Sequence, residues 1–315
     1  MNVSSLVSRY VIFRRTLGER CNSTEEILRA FCRAVGPRRP VCQLQRRRVA
    51  AYLAGRGPLT GSWHIKYSVL KGFFRFAISR GHLRKSPLPT TVPERPPTLT
   101  PYIYSREELR RLLEAIPACQ GPRFHIQPPT LRALLLLLYG AGLRRGEVLK
   151  LTVADVDLPR GLLTVREGKF FKSRVVPLGP DLTRVLQEYV RWRTASQSSA
   201  SAVGLFFVGR DGKGFDRRTL NRAFKRLREH IGLRRTDQLR YQPRLHDLRH
   251  TFAVHRLIAW YRQGADVQRL LYHLSTYLGH INLEHTQVYL TMVPELLQQA
   301  GACFERYARR EGHHD

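Results

Sequence analysis

LLTVREGKFFKSRVVPLG, residues Leu162 to Gly179, is the point at which the apolar period of the chain changes from helical to alternating. Its halves read as two short strands, Leu162–Arg166 and Arg174–Leu178, joined by a tight loop. On both sides the pattern is helical. Upstream, Leu131 to Tyr139 is apolar all round, as expected of a buried core helix, and Ser105-x-x-Glu108 opens another helix with a capping box. Downstream, TASQSSASA (Thr194 to Ala202) reads as a loop, and Leu220, Phe224, Leu227 and Ile231 mark one more helix. The expected fold class is mainly α with a small antiparallel β-sheet.

Further upstream, RKSPLPTTVPERPPTLTP (Arg84 to Pro101) carries Pro87, Pro89, Pro93, Pro96, Pro97 and Pro101. Proline blocks helix interiors and favours extended chain, so a domain boundary is expected here. Before it, Ser23-x-x-Glu26 reads as a capping box, followed by Ile27, Leu28, Phe31 and Val35 at helical spacing and by Gly36-Pro37 as a stop. A second helix is expected over Trp63 to Arg80, with Gly81 as its C-terminal cap. The expected division is a small helical domain over residues 1–86, a linker over 87–101 and a mixed α/β domain over 102–315.

Charge narrows the partner. The chain has 315 residues with 54 Lys and Arg against 24 Asp and Glu, a net charge of +30. Residues 1–100 alone hold nineteen Lys and Arg against Glu19, Glu25, Glu26 and Glu94. Such an excess attracts polyanions, and nucleic acid is held by phosphate neutralisation with counterion release. The expected helix around Leu220 to Ile231 presents Arg217, Arg218, Arg222, Lys225, Arg226 and Arg228 on its other faces, suited to a DNA groove or to a solvated surface. The five cysteines form no C-x-x-C pair and are odd in number, which argues against a disulfide framework. The N-terminus lacks the apolar core of a signal peptide, and the longest apolar run is too short to span a bilayer. A cytoplasmic protein with no membrane partner is expected.

The chemistry concentrates in RLHDLRHTFAVHR, Arg244 to Arg256, where His246, Asp247, Arg249 and His250 crowd into five positions. His246 and His250 lie four apart, which raises a zinc site of the H-E-x-x-H kind. Arg249 beside them opposes a dication, and aspartate is one methylene short for the metalloprotease base. A phosphate site fits better. His246 and Arg249, three apart, can face one point, and arginine binds phosphate oxygens as a bidentate fork. One arginine cannot surround a phosphorane, and LLYGAGLRRGEVLKL (Leu137 to Leu151) supplies Arg144 just after Gly140 and Gly142, glycines able to break the core helix.

AGLRRGEVLKL, HDLRHTFAVH and YLGHINLEHTQVYL, in that order, resemble the signature boxes of the tyrosine recombinase, or phage integrase, family. The resemblance extends over nearly the whole chain and is closest to the two-domain Xer type. It implies a helical core-binding domain that clamps DNA, a linker and a catalytic domain. Position by position, Arg144 matches the first catalytic arginine, and Lys169 in EGKFFK matches the hairpin lysine, with Lys172 and Arg174 as rivals. His246 and Arg249 match the H-x-x-R pair, His280 in LGH the second histidine, and Tyr289, nine positions on, the nucleophile. His250 is expected to pack or bond near the site, Asp247 to orient Arg249 or cap its helix, and Glu147 to support Arg144.

The implied reaction is attack of Tyr289 on a DNA phosphodiester, giving a 3′-phosphotyrosine and a 5′-hydroxyl. Arg144 and Arg249 would hold the non-bridging oxygens, Lys169 would protonate the leaving oxygen, and His246 and His280 would assist proton transfer. No metal or cofactor is required. The implied partners are double-stranded DNA and further copies of the chain, as a dimer on one site and a tetramer at synapsis, with a sister recombinase as an option. A type IB topoisomerase shares this chemistry, and a non-catalytic DNA-binding protein would share the charge. Two departures stand out: Gly146 occupies a position where the family often has serine, and the spacing from HTFA to LGH is longer than in Xer-like chains, implying longer helices or a longer turn. VPELLQQAGACFERYARRE has helical spacing, and the resemblance implies a C-terminal helix that docks on a neighbouring subunit.

Overall fold

A computed structural model of the chain describes residues 1–19, 21–96, 100–119, 121, 124–166, 173–196, 204–237, 239, 241–280, 282–291, 298 and 301. The chain divides into two compact units, Met1–Leu99 and Thr100–Asp315, and the division falls inside the proline-rich stretch.

The first unit is helical: α1 (Val3–Thr16), α2 (Asn22–Val35), a 3-10 turn (Val41–Gln43), α3 (Arg46–Ala54) and α4 (Gly61–Ser79). Leu6, Leu28, Phe31, Val49, Leu70, Phe73 and Phe74 are all fully buried in its core. Phe31 sits edge-on to both Phe73 and Phe74, with ring centroids 6.3 and 5.9 Å apart. Asn2 caps α1 through Oδ1, which accepts from the Ser5 N–H at 2.8 Å. The capping box expected at Ser23 is not formed. Cys21 is the N-cap in a left-handed conformation, no side chain caps the helix, and Ser23 lies inside its first turn. Glu25 is drawn to the Arg15 and Arg29 guanidiniums across the surface. At the other end of the unit Gly81 does act as expected. It takes φ +72°, and the N–H groups of Gly81 and His82 close on the Ile78 and Ala77 carbonyls.

The second unit starts with α5 (Arg106–Glu114), whose capping box is complete. Glu108 N–H donates to Ser105 Oγ, and Ser105 N–H donates back to Glu108 Oε2. After the short α6 (Ile116–Cys119) comes α7 (Pro128–Gly140), a largely apolar helix that buries residues on several faces and exposes Arg132. α8 (Arg145–Val148) and a 3-10 turn (Val153–Asp155) lead into the sheet of β1 (Val156–Asp157), β2 (Leu162–Val165) and β3 (Arg174–Pro177). The sheet is antiparallel in the order β1-β2-β3, with Leu162 opposite Pro177 and Val165 opposite Arg174. The expected hairpin is therefore present, each strand one residue shorter than its apolar run. The third strand, β1, is two residues long, too short for a periodic signal. The mainly helical class with a small antiparallel sheet holds.

α9 (Pro180–Ser196) packs on α7, and it takes in Thr194 to Ser196, which the polar composition assigned to a loop. Arg193 is buried on this helix and donates to the Leu205 and Phe206 carbonyls, which extends the helix through a polar stretch. α10 (Arg217–His230) is capped by Asp216. Arg217, Arg218, Arg222 and Lys225 are exposed on it, whereas Arg226 stacks on the Phe124 ring and Arg228 donates to the Pro243 carbonyl. α11 (Asp247–Arg262) and α12 (Val267–Leu278) account for the long spacing as extended helices on either side of Gly264. α13 (Glu284–Gln287) runs into a final 3-10 turn (Val288–Thr291). These last elements form a second apolar cluster with Phe252, Val254, Leu257, Leu274, Leu278 and Tyr289. The helix expected in the tail lies outside the described residues. Among the described residues no helix is long and apolar enough to cross a membrane.

Candidate active site

The site forms where four stretches distant in sequence meet. α7 ends at Gly140, and Gly142 follows with φ +57°. A Cβ there would stand 2.5 Å from Phe252 Cδ1 and 2.9 Å from Leu278 Cδ2, so both backbone shape and space demand glycine. The turn places the Gly142 carbonyl at Arg249 and starts α8 so that Arg144 precedes it.

Arg249, in the first turn of α11, is 2% exposed. Its Nη1 donates to the Gly142 carbonyl at 2.6 Å and its Nη2 to the Leu278 carbonyl at 2.8 Å. Arg144 donates through Nη2 to the Gly279 carbonyl at 2.8 Å and through Nη1 to Glu147 Oε1 at 2.8 Å. Glu147 Oε2 also accepts from the Arg144 backbone N–H at 2.9 Å. Thus Glu147 supports Arg144, as the sequence suggested. Its other partner was not foreseen. Arg174 of β3 forks onto both Glu147 oxygens, at 3.1 and 2.9 Å, and its Nε donates to the Tyr277 carbonyl. This use of Arg174, a rival of Lys169 in the sequence, ties the hairpin to the arginine turn. Lys169 itself lies outside the described residues.

Tyr289 is 2% exposed, in the last 3-10 turn. Its hydroxyl is 3.1 Å from His250 Nδ1, and the positive charge of Arg249 acts on it. Its ring lies 5.6 Å from that of His250 and 6.2 Å from that of His280. His246 is edge-on to His250 at 5.0 Å. His280 follows Gly279, the left-handed cap of α12, and its Nδ1 is 2.7 Å from Thr286 Oγ1, a fully buried hydroxyl. Arg144, His246, Arg249, His280 and Tyr289 are thus brought together, with His250 closer to the phenol than sequence reasoning placed it. Asp247 does not orient Arg249. It accepts from the Arg244 N–H and Nη2, both at 2.8 Å, at the start of α11. Thr286 was missed, since a lone threonine carries no sequence signal, and Arg174, named only as a rival of Lys169, was not expected to bind Glu147.

The electrostatics follow from burial among fixed positive charges. Burial raises the Tyr289 pKa above its ordinary value, opposed by the charges of Arg249 and Arg144. His250 is pushed down to about 3 by burial, then by His246, Arg249 and Arg244. His280 is also lowered to about 3, by burial and then by Arg249 and Arg144. His246 keeps an accessible edge, yet the protein packed around the rest of its ring, with Arg249, lowers it to about 4. All three imidazoles are neutral near pH 7. Arg249 is pushed down to about 10, chiefly by burial and then by Arg144, and stays cationic. For Glu147 burial alone would raise the pKa, but Arg174 and Arg144 prevail and hold it at about 2. The result is a phenol facing two guanidiniums and neutral imidazoles, an arrangement that accepts an anionic tetrahedral or bipyramidal centre.

A family model described as the phage integrase family matches residues 104–295. The chain belongs to the phage integrase family. A Sinorhizobium fredii protein named as an integrase/recombinase (y4rB) is 38% identical over 78% of this chain and 78% of its own. Tyrosine recombinase XerC of Chlorobaculum tepidum is 34% identical over 75% of this chain and 70% of its own. Among solved structures, the Tn1549 transposon integrase in complex with a circular intermediate DNA superposes with a TM-score of 0.68. At 17% identity over 98% of this chain and 99% of that one, it establishes the fold. The phage integrase family member described here is therefore an enzyme of the tyrosine recombinase class, with the recombinase fold.

Proposed function

We propose that this recombinase cuts and rejoins double-stranded DNA at a specific site through a 3′-phosphotyrosine on Tyr289. The observation that carries the reading is the burial of Tyr289 in the field of Arg249 and Arg144, whose guanidiniums are held at the Leu278 and Gly279 carbonyls of one turn. A scissile phosphate entering here places its non-bridging oxygens against Arg144 and Arg249. Their charge and fixed N–H groups stabilise the phosphorane as negative charge builds on it. His246 and His280 hydrogen-bond the phosphate, His280 being oriented by Thr286. Lys169 protonates the departing 5′-oxygen. The phosphotyrosine conserves the bond energy, so rejoining needs no ATP.

In this reading residues 1–86 clamp DNA, residues 87–101 connect, and residues 102–315 hold the chemistry. The net charge of +30 supplies the affinity for the backbone. The enzyme acts in the cytoplasm, as a dimer on one site and a tetramer at synapsis, the arrangement in which strands exchange between two duplexes.

The test uses nicked duplexes tiled across the DNA flanking the coding sequence. Loss of the short 5′-fragment at the nick traps any covalent complex, which a denaturing gel resolves. Wild-type protein is expected to form an adduct on one or a few duplexes, and Tyr289→Phe none, while still binding the same DNA. An adduct that survives Tyr289→Phe shows a different nucleophile, and relaxation of any supercoiled plasmid without strand exchange shows a topoisomerase.

A further inference from the structure

The three imidazoles around the phenol are not equivalent. We infer that His250, the residue directly after Arg249, is the group that takes the proton of Tyr289 when it attacks, and returns it when the strand is rejoined. The inference rests on the phosphotyrosine reading above and adds a catalytic residue to it.

The geometry separates the candidates. His250 Nδ1 is 3.1 Å from the Tyr289 oxygen, within range of direct proton transfer. His280 lies flat beside the phenol ring at 6.2 Å between centroids, and its Nδ1 is engaged by Thr286. His246 reaches Tyr289 only by way of His250, whose ring it meets edge-on. Arg249 stays cationic, carries only donors and cannot accept a proton.

The donor and acceptor roles then follow. A phenol oxygen carries one proton and offers lone pairs. The charges of Arg249 and Arg144 favour the lone pairs, and the phenol proton finds its acceptor at His250 Nδ1, which requires the neutral Nε2–H tautomer. The groups facing His250 are His246, Arg249 and Arg244 on its own segment, and Tyr289 and His280 from the later elements. Their charge and the surrounding protein keep the imidazole neutral, so its lone pair is available at working pH. An arriving phosphodiester brings the opposite charge into the same pocket and raises the basicity of the imidazole when it is needed.

The step balances. The Tyr289 O–H bond breaks and its proton moves to His250 Nδ1, giving an imidazolium. The Tyr289 oxygen forms a bond to phosphorus, and the bond from phosphorus to the 5′-oxygen breaks. That oxygen leaves with a proton from the acid on the opposite side, the role given to Lys169. In rejoining, the 5′-hydroxyl gives its proton back to that acid as its oxygen bonds to phosphorus, the bond from phosphorus to the Tyr289 oxygen breaks, and the imidazolium returns the proton to the departing phenolate.

Two measurements test this. The first needs no DNA. In 15N-histidine NMR of the full-length protein at neutral pH, with His250→Gln identifying the signal, Nδ1 of His250 is expected to be unprotonated. A protonated Nδ1, in either the other tautomer or the imidazolium, overturns the inference. The second uses the nicked duplex that yields the wild-type adduct. His250→Gln can still hold the hydroxyl through Oε1 but cannot take its proton, and it is expected to form adduct about 100-fold more slowly or worse. The defect is expected to shrink as pH rises, and His250→Ala is expected to recover with added imidazole. A 5′-bridging phosphorothiolate, whose thiol leaves without an acid, is expected to leave the defect unchanged. Wild-type rates in His250→Gln, or full recovery on the phosphorothiolate, overturn the assignment. If wild-type protein forms no adduct on any duplex, the phosphotyrosine reading is what fails, and the tautomer still decides the hydrogen bond.

Discussion

Arg249 and Arg144 hold consecutive carbonyls of one turn, Arg249 donating to Leu278 O and Arg144 to Gly279 O, each at 2.8 Å. Two guanidiniums drawn from distant parts of the chain would repel if merely placed side by side. Here the oriented carbonyl dipoles of the turn before His280 offset the repulsion and set the spacing of the pair. The carboxylate of Glu147 adds a full negative charge on the Arg144 side. The cationic pocket is thus held together by the protein's own carbonyls and carboxylate.

Gly142→Ala tests the start of this arrangement. An L-residue in the left-handed region costs about 1–2 kcal/mol, and overpacking against Phe252 and Leu278 adds about 1–3 kcal/mol. A loss of about 2–5 kcal/mol is expected in urea unfolding. A change below 1 kcal/mol would mean that the Gly142 turn relaxes freely and does not hold Arg249.

Glu147→Gln tests the carboxylate. Its folded pKa is held at about 2, below its unfolded value, so its contribution to stability is fully present above the unfolded pKa of about 4.5. That contribution disappears as pH falls towards 2. Given the depth of burial it is on the order of 3 kcal/mol. Wild type is expected to exceed Glu147→Gln in stability at pH 6, with the gap closing between about pH 4.5 and 2. A gap independent of pH in that window would contradict the ion-pair account.

Thr286→Val keeps the shape of a buried side chain and removes the hydroxyl that holds His280 Nδ1. Losing such a bond costs about 1–3 kcal/mol, or roughly fivefold to 150-fold in the rate of adduct formation. Thr286→Ser is expected to stay near wild type. The double variant Thr286→Val with His280→Ala is expected to be no slower than His280→Ala alone, and additive defects would show that Thr286 acts elsewhere.

The charge of +30 predicts steep salt dependence. If about six phosphates are neutralised, affinity for duplex DNA falls roughly 10³-fold between 50 and 200 mM salt. Fluorescence anisotropy across that range measures the slope, and a flat response would remove phosphate neutralisation as the source of affinity.

Much of this was legible in the chain because local chemistry left a strong imprint. Ser105 and Glu108 cap a helix by contacts three residues apart, and the hairpin registers as a change of period. The signature boxes mark five of the residues that meet in the site. Ser23 misled because the same S-x-x-E pattern also occurs inside a helical turn, and Glu25 rather than a capping residue decided the local pairing. Thr194 to Ser196 misled because composition says loop while Arg193 anchors the helix through carbonyls outside it. The placement of His250 against Tyr289 spans 39 positions, and no local pattern encodes it.

The sequence by itself determined the helical periods, the hairpin, the cationic balance and the residue types needed for a phosphate site, because each depends on neighbours in the chain or on composition. Only the tertiary structure decided which atoms face each other. It turned Arg174 onto Glu147, aimed two arginines at successive carbonyls and set one histidine, not another, against the phenol. Those choices depend on the directions of side chains brought together from separate elements. Hydrogen bonds weaken within a few tenths of an ångström and a few tens of degrees, so spacing along the chain does not specify them.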